Sequence, residues 1–386
     1  MTTMLITNWI TANHTIQPIG LDIGHSSLKM IQLEICDDRL KVLAAGKTPM
    51  AVDLACDGPE RERAVVAAIQ RLLADGQFHG QNVVSALPMD KVRITSLRLP
   101  EAETDQAERV LRREAAARFD LDPAKDAVNY ILAGSVRQGD EVKSEYILFA
   151  VDHETIAAQI RLLEEAGLTP VAIDAPACAL FRTFERTMRR QEDRERTIIF
   201  IDVGYRYTTV VFGRGGEICF VKQIGVGMGQ FNDEVASALG IGSSEAESFR
   251  LRLQRDDAID ADTRCHVVDA LNRMSEQLAG EISLCLRYYT VTFRGKRVER
   301  AVIAGGGAYE QVLRDVLRRH LSVEIEVAEP LRGFDYRPDK TDKEDLNGFA
   351  DLALAVGLSL KGWNSSLVAE RAPRAQLEPV LEGESP

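Results

Sequence analysis

One pattern with chemical potential occurs twice in this chain. Ile19-Gly20-Leu21-Asp22-Ile23-Gly24 is followed by Ser26, Ser27 and Lys29, and Ile199-Phe200-Ile201-Asp202-Val203-Gly204 is followed by Thr208 and Thr209. Each copy is an apolar run bearing an Asp, then a Gly, a turn and a second apolar run. Glycine lets the backbone approach a ligand closely. Successive amides and hydroxyls donate to phosphate oxygens, and Lys29 adds positive charge. Asp22 tolerates a phosphate through a hydrated Mg²⁺, an ion that keeps several of its waters. Two such turns facing each other would clamp a polyphosphate from both sides. The simpler alternative for the first copy is a hairpin turn closed by a capping Asp. The second copy is bulkier, with Tyr205, Arg206 and Tyr207 where a phosphate loop favours small residues. Thr208 and Thr209 can donate, but threonine is also a good strand former. Arg206 can contact phosphate or lie in solvent.

A third junction, Gly305-Gly306-Gly307, follows the apolar run Ala301-Val302-Ile303-Ala304. Bare backbone there would let a flat ring stack, and the helix that follows would set its N-terminus beside an anion. The alternative is a tight strand-to-helix turn. The spacing is not G-x-G-x-x-G, and no G-x-x-x-x-G-K-[ST] is present, so neither a Rossmann fingerprint nor a P-loop is indicated. Six cysteines and six histidines are scattered without metal-ligand spacing. The cysteines read as buried thiols of a reducing compartment.

The elements that must carry these residues follow from periodicity. Runs 19–23, 28–35 and 40–45 read as strands, 61–73 as an amphipathic helix and 83–87 as a buried strand. Residues 88–169 read as a separate small α+β unit. Its strands fall at 92–99, 128–132 and 146–151, with a polar turn at 138–143, and its helices at 104–119 and 154–166. A strand at 171–174 and a helix over 176–190 come next, then a charged connection at 189–196. The second half repeats the opening, with strands 198–202, 208–212 and 217–223. A helical stretch over 231–293 follows, then the strand 301–304, a helix at 309–320, a strand at 323–327 and an Ala-rich helix at 346–360. Residues 1–18 read as a loose tail. The Pro-containing, acidic end from 364 reads as disordered.

With 386 residues, 45% hydrophobic and 27% charged, the composition is that of a globular protein of two or three domains. The net charge of −12 argues against a nucleic-acid partner. No apolar run reaches the length of a membrane span, and the start lacks the features of a signal peptide. A cytoplasmic protein that meets a membrane only through partners is expected.

The order of the two Asp-Gly turns, the glycine run and the Ala-rich helix resembles the actin-like ATPase superfamily. Within it the chain resembles the PilM family of type IV pilus assembly proteins over about 19–362. Gly24-His25-Ser26-Ser27-Leu28-Lys29 is similar to that family's first phosphate loop. The stretches 225–233, Leu239-Gly240-Ile241 and Glu245-Ala246-Glu247 resemble its entry to the second domain, and 304–308 resembles its adenosine motif. The resemblance implies an α/β fold of two RNase H-like domains with an inserted α+β subdomain in place of actin's. The first domain would hold 19–87 and 170–195, with 346–362 returning to it. The insertion would be 88–169. The second domain would be 196–345, with a helical subdomain at about 231–299.

The resemblance also implies ATP or ADP with Mg²⁺ as cofactors, the metal held through water by Asp22. Gly24, Ser26, Ser27 and Lys29 would contact phosphates, as would Asp202, Gly204 and Thr208 of the second loop. Glu247 and Arg250 would face the ribose, and Gly305, Gly306 and Gly307 the adenosine. The plainer reading of Glu247 and Arg250 is a solvated i,i+3 pair on a helix. The implied function is a scaffold, at most a slow ATPase. It would bind the cytoplasmic N-terminal peptide of a PilN-like inner-membrane protein and link that complex to the pilus assembly ATPase, with self-association as a further capacity. It would sit in the cytoplasm, held peripherally at the inner membrane. The alternatives are a small-molecule kinase of the same superfamily and an FtsA-like filament-forming protein. His25 and Tyr205-Arg206-Tyr207 depart from the family pattern.

Overall fold

The apolar run that carries Asp22 folds as strand β2 (Ile19–Ile23), and the run that carries Asp202 as β10 (Thr197–Val203). Both are buried nearly throughout, as central strands of sheets covered on two faces must be. A computed structural model describes residues 14–36, 39–50, 58–100, 106–122, 125–138, 140–186, 188, 196–293, 297–336 and 349–361.

Around β2 lie β1 (His14–Ile16), β3 (Ser27–Cys36), β4 (Arg39–Pro49), β5 (Asn82–Ala86) and β9 (Thr169–Asp174). The order across this sheet is β4-β3-β2-β5-β9, antiparallel on the β4 side and parallel on the β9 side, with β1 extending the β2 edge of β3. The second sheet holds β11 (Thr208–Arg214), β12 (Glu217–Ile224), β13 (Val298–Ala304) and β14 (Glu324–Val327) around β10. Its order is β12-β11-β10-β13-β14, again antiparallel, antiparallel, parallel, parallel. The two sheets thus share one topology. In each, the Asp sits near the end of the strand where the direction of pairing changes, a position where open α/β sheets collect ligands.

A third sheet contains β6 (Arg93–Pro100), β7 (Ala127–Gln138) and β8 (Glu141–Val151) in the antiparallel order β6-β8-β7. Helix α2 (Ala107–Phe119) covers one face, with Leu111 and Ala115 packed on Tyr146 and Leu148. The β7–β8 hairpin is longer than the alternation indicated, its register running on from 134–138 against 141–145.

Helix α1 (Pro59–Asp75) and helix α3 (His153–Glu165) pack on the first sheet. Leu163 shares a core with Ile19, Leu21 and Val83, and Gln159 donates to the Ser85 hydroxyl. Helix α3 therefore belongs to the first lobe, not to the small unit it was expected to close. Helix α4 (Pro176–Glu185) ends earlier than the expected 176–190. It packs on the second sheet, where Phe184 stacks on Phe200 at 5.1 Å between centroids. Helices α5 (Met228–Leu239), α6 (Ser243–Gln254) and α7 (Ala261–Thr292) form the helical excursion between β12 and β13, and α8 (Gln311–Leu321) joins β13 to β14.

The chain then returns. A 3₁₀ turn (Phe349–Leu352) leads into α9 (Ala353–Ser359), which lies on β2 and crosses α4. A Cβ on Gly357 would fall 1.8 Å from the Ala179 carbonyl oxygen, and one on Gly20 would fall 2.1 Å from that of Ala355. Thr183 donates to the Ala353 carbonyl at 2.6 Å and Arg182 to that of Gly357 at 2.8 Å. The α4–α9 crossing therefore joins the lobes backbone to backbone.

Residues 14–16, expected in a loose tail, are strand β1. Cys219 and Cys285 are buried as expected, but Cys36 and Cys178 are partly exposed and Cys265 is exposed. Residues 1–13, Cys56, most of 189–196 and the stretch from 364 lie outside the described residues.

Candidate functional site

The first loop, 24–27, is made by the tight exit from β2 into β3. Gly24 is required there, because a Cβ would fall 2.6 Å from the Ser27 carbonyl oxygen. The buried Arg61 of α1 holds the loop from behind, donating to the Gly24 carbonyl at 2.8 Å and to that of His25 at 3.4 Å. The Met50 amide donates to the Ser26 carbonyl at 2.8 Å. Ser27 is buried at the start of β3 and Ser26 is partly exposed at the turn.

Asp22 and Lys29 are direct neighbours in the β2–β3 register, and Lys29 Nζ donates to Asp22 Oδ2 at 3.0 Å. Burial alone would lower the Lys29 pKa, but Asp22, Asp351 and Asp202 together raise it above the ordinary lysine value. Lys29 in turn faces Lys47 across β3–β4, and Lys47 pairs with Asp351 of the C-terminal 3₁₀ turn. Burial, reinforced by Asp22 and Asp351 and opposed by Lys29, pushes the Asp202 carboxyl up to about 6. The charge of Asp22 thus reaches Asp202 across the gap between the sheets. Lys47, Asp351 and Arg61 complete a site that the motifs alone did not reveal.

The second loop is closed by its own backbone, with Gly204 N–H donating to the Tyr207 carbonyl at 3.0 Å. The first amides of α5 hold it, Met228 donating to the Gly204 carbonyl at 2.9 Å and Gly229 to that of Tyr205 at 2.7 Å. Thr208 is fully buried, and its hydroxyl donates to the Val226 carbonyl at 2.7 Å. It therefore braces the loop from inside the lobe. Thr209 faces Asp202 in the β10–β11 register.

The glycine run divides by position. Gly305 has φ +82°, and a Cβ there would meet Asp202 Oδ1 at 2.4 Å. Its amide donates to the Ala350 carbonyl at 3.0 Å, which ties the run to the turn that carries Asp351. A Cβ on Gly307 would strike Val203 Cγ1 at 2.5 Å. Gly306 is exposed, with open space where a side chain would be. The middle glycine is the one whose backbone lies open.

Glu247 and Arg250 lie on α6. Arg250 is buried rather than solvated. Its guanidinium donates to Asn232 Oδ1 at 3.0 Å and lies 3.5 Å from Glu310 Oε2 and 3.7 Å from Glu247 Oε1. Gln254 also donates to Glu310, at 2.9 Å. Tyr205 connects this network to the second loop. Burial first, then Glu247 and Asp233, raises its phenol pKa. Asn232 and Glu310 carry this network and left no sequence signal, since a polar residue inside α5 and an acid just before α8 are both ordinary.

The arrangement suits a hydrated cation with a polyphosphate. Three carboxylates share a partly buried corner with two lysines. Among the described residues no three His, Cys, Asp or Glu side chains converge as direct ligands. A metal at Asp22 would therefore keep water in its shell, as Mg²⁺ does. Among the described residues no helix is long and apolar enough to cross a membrane.

The family model described as type IV pilus assembly protein PilM matches residues 20–363. No curated protein matches the chain. In fold, the chain is similar to the structure of a PilM-PilN type IV pilus biogenesis complex (TM-score 0.74, 23% identity, covering 90% of this chain and 98% of that one). It is also similar to the ethanolamine utilization protein EutJ from Carboxydothermus hydrogenoformans (TM-score 0.52, 14% identity, covering 90% of each). Two sheets of one topology, each ending its central strand in an aspartate at a shared cleft, are the actin-like ATPase fold. With the family model spanning nearly all of that fold, the chain belongs to the PilM family of type IV pilus assembly proteins.

Proposed function

We propose that the protein is a nucleotide-binding scaffold of type IV pilus assembly. The observation that carries this reading is the placement of Asp22, Lys29, Asp202 and Gly305 around one gap between two sheets of like topology. ATP or ADP with Mg²⁺ would bridge the lobes there. Asp22 would hold the metal through water. Gly24, Ser26, Ser27 and Lys29 would face phosphates from the first lobe, and Gly204 from the second. Gly306 would offer its backbone to the adenosine and Glu247 would lie on the ribose side. Arg250 would act by fixing Glu247 and Asn232.

The α4–α9 crossing would let a bound nucleotide fix the angle between lobes, and that angle would shape a surface for a partner. The partner is a PilN-like inner-membrane protein, engaged through its cytoplasmic N-terminal peptide. The PilM-PilN composition of the structure most similar in fold among those named above supports this choice. Through that partner the protein would sit peripherally at the inner membrane and link the complex to the assembly motor. Titration of a PilN N-terminal peptide into the full chain, with and without Mg-ATP, tests the reading. A peptide affinity that changes about tenfold with nucleotide is expected, a coupling of ordinary allosteric size. Peptide binding that ignores nucleotide would remove the gating role.

A further inference from the structure

The two loops touch through their side chains. His25 Nε2 of the first loop lies 3.2 Å from Arg206 Nη1 of the second. The His25 ring meets Tyr207 edge-on with centroids 6.2 Å apart, and the Arg206 guanidinium lies 5.7 Å from the Tyr207 ring centre. The backbone of each loop is held by its own lobe. Arg61 and Met50 hold the carbonyls of Gly24, His25 and Ser26, and the α5 amides hold those of Gly204 and Tyr205. The His25–Arg206 contact therefore closes only when the two sheets are close together.

A guanidinium has donors and no acceptor. In this pair His25 Nε2 is therefore the acceptor and Arg206 the donor. A phosphate can take two guanidinium donors in parallel, with charge assistance that makes each bond about twice as strong as a neutral one. A phosphate between the loops competes with His25 for Arg206 and is the better partner.

We propose that Arg206 is a phosphate ligand of this cleft and that His25 is a positioning residue that holds it across the gap when no phosphate is bound. The assignment rests on the nucleotide reading for the identity of the ligand. It turns the bulk of the second loop from a departure into a function, since a side chain long enough to span the gap is what the loop must supply.

Calorimetry on the full chain decides it, with Mg-ATP and inorganic tripolyphosphate as separate ligands. Arg206→Ala is expected to weaken both about 10- to 100-fold, the usual range for a lost charged hydrogen bond, and Arg206→Lys to recover part of the loss. His25→Ala is expected to bind both at least as tightly as the wild type, because the competitor is gone. Without ligand, hydrogen exchange at 24–27 and 204–207 should quicken in His25→Ala and recover in His25→Gln, whose amide oxygen can accept. Wild-type affinity in Arg206→Ala for ligands the wild type binds would overturn the assignment and leave the nucleotide reading standing. Arg206-dependent binding of tripolyphosphate without any binding of ATP would support the assignment and remove the nucleotide reading. Failure of the wild type to bind either would overturn both.

Discussion

Asp202 shares its corner with Asp22 and Asp351, and burial with that crowding lifts its carboxyl from 3.8 to about 6. A carboxyl raised in the folded state stabilises the fold fully below the unfolded value near 4. That contribution is lost as pH rises through about 6. Asp202→Asn fixes the neutral form. It is expected to raise the unfolding free energy at pH 8 by up to about 3 kcal/mol, a ceiling lowered by the residual exposure of the carboxyl. The gain should fade toward pH 4, where the wild type is itself protonated, and denaturant melts at the two pH values measure both effects. Equal stability of wild type and variant at pH 8 would contradict the burial argument. Gly305 makes a second residue-scale case. Alanine there must adopt φ +82° with its Cβ against Asp202 and Val203. Gly305→Ala is expected to cost about 2 kcal/mol or more, while Gly306→Ala, facing open space, changes stability by only a few tenths. Chemical unfolding of the pair separates a packing glycine from one with open space at its Cβ. At this scale Asp22, Lys29, Asp202 and the glycines were legible because each lies in a local pattern. Lys47, Asp351 and Arg61 were not, since a lysine on a polar strand and an arginine on a charged helix look alike whether they face solvent or a site.

Among the elements, the α4–α9 crossing holds the lobes together, and it depends on the absence of a side chain at Gly357. Gly357→Ala raises helix propensity by about 1 kcal/mol, yet its Cβ would overlap the Ala179 carbonyl. The expected result is a net loss of about 2 kcal/mol or more, read as a lower melting temperature. A melting temperature at or above that of the wild type would show that the helices can move apart freely. The strands other than β1 were legible from apolar runs and alternation, and the long helix α7 from the spacing of Leu278, Ile282, Cys285, Leu286 and Tyr289, all buried but the half-buried Leu286. The placement of α3 was not. Periodicity gives a helix its apolar face but does not name the surface that covers it, and Leu163 found the first sheet rather than the third. Helix α4 ends at Glu185, and of the residues that follow Met188 is still buried in the core.

For the whole molecule, the shared order of the two large sheets makes one cleft from two copies of a weak motif. A duplicated strand-turn-strand pattern could be read from the sequence. The parallel β2–β5 and β10–β13 pairings, which set both aspartates at facing sheet ends, join segments too distant in sequence for any local pattern to show. Whether this cleft binds a metal-bound nucleotide is decided by isothermal calorimetry of Mg-ATP with the wild type and Asp22→Asn. Saturable binding of one nucleotide per chain is expected of the wild type. In Asp22→Asn a loss of affinity of tenfold or more is expected, with a circular dichroism spectrum that matches the wild type. No binding by the wild type, or equal affinity in the two proteins, would contradict this mode of binding.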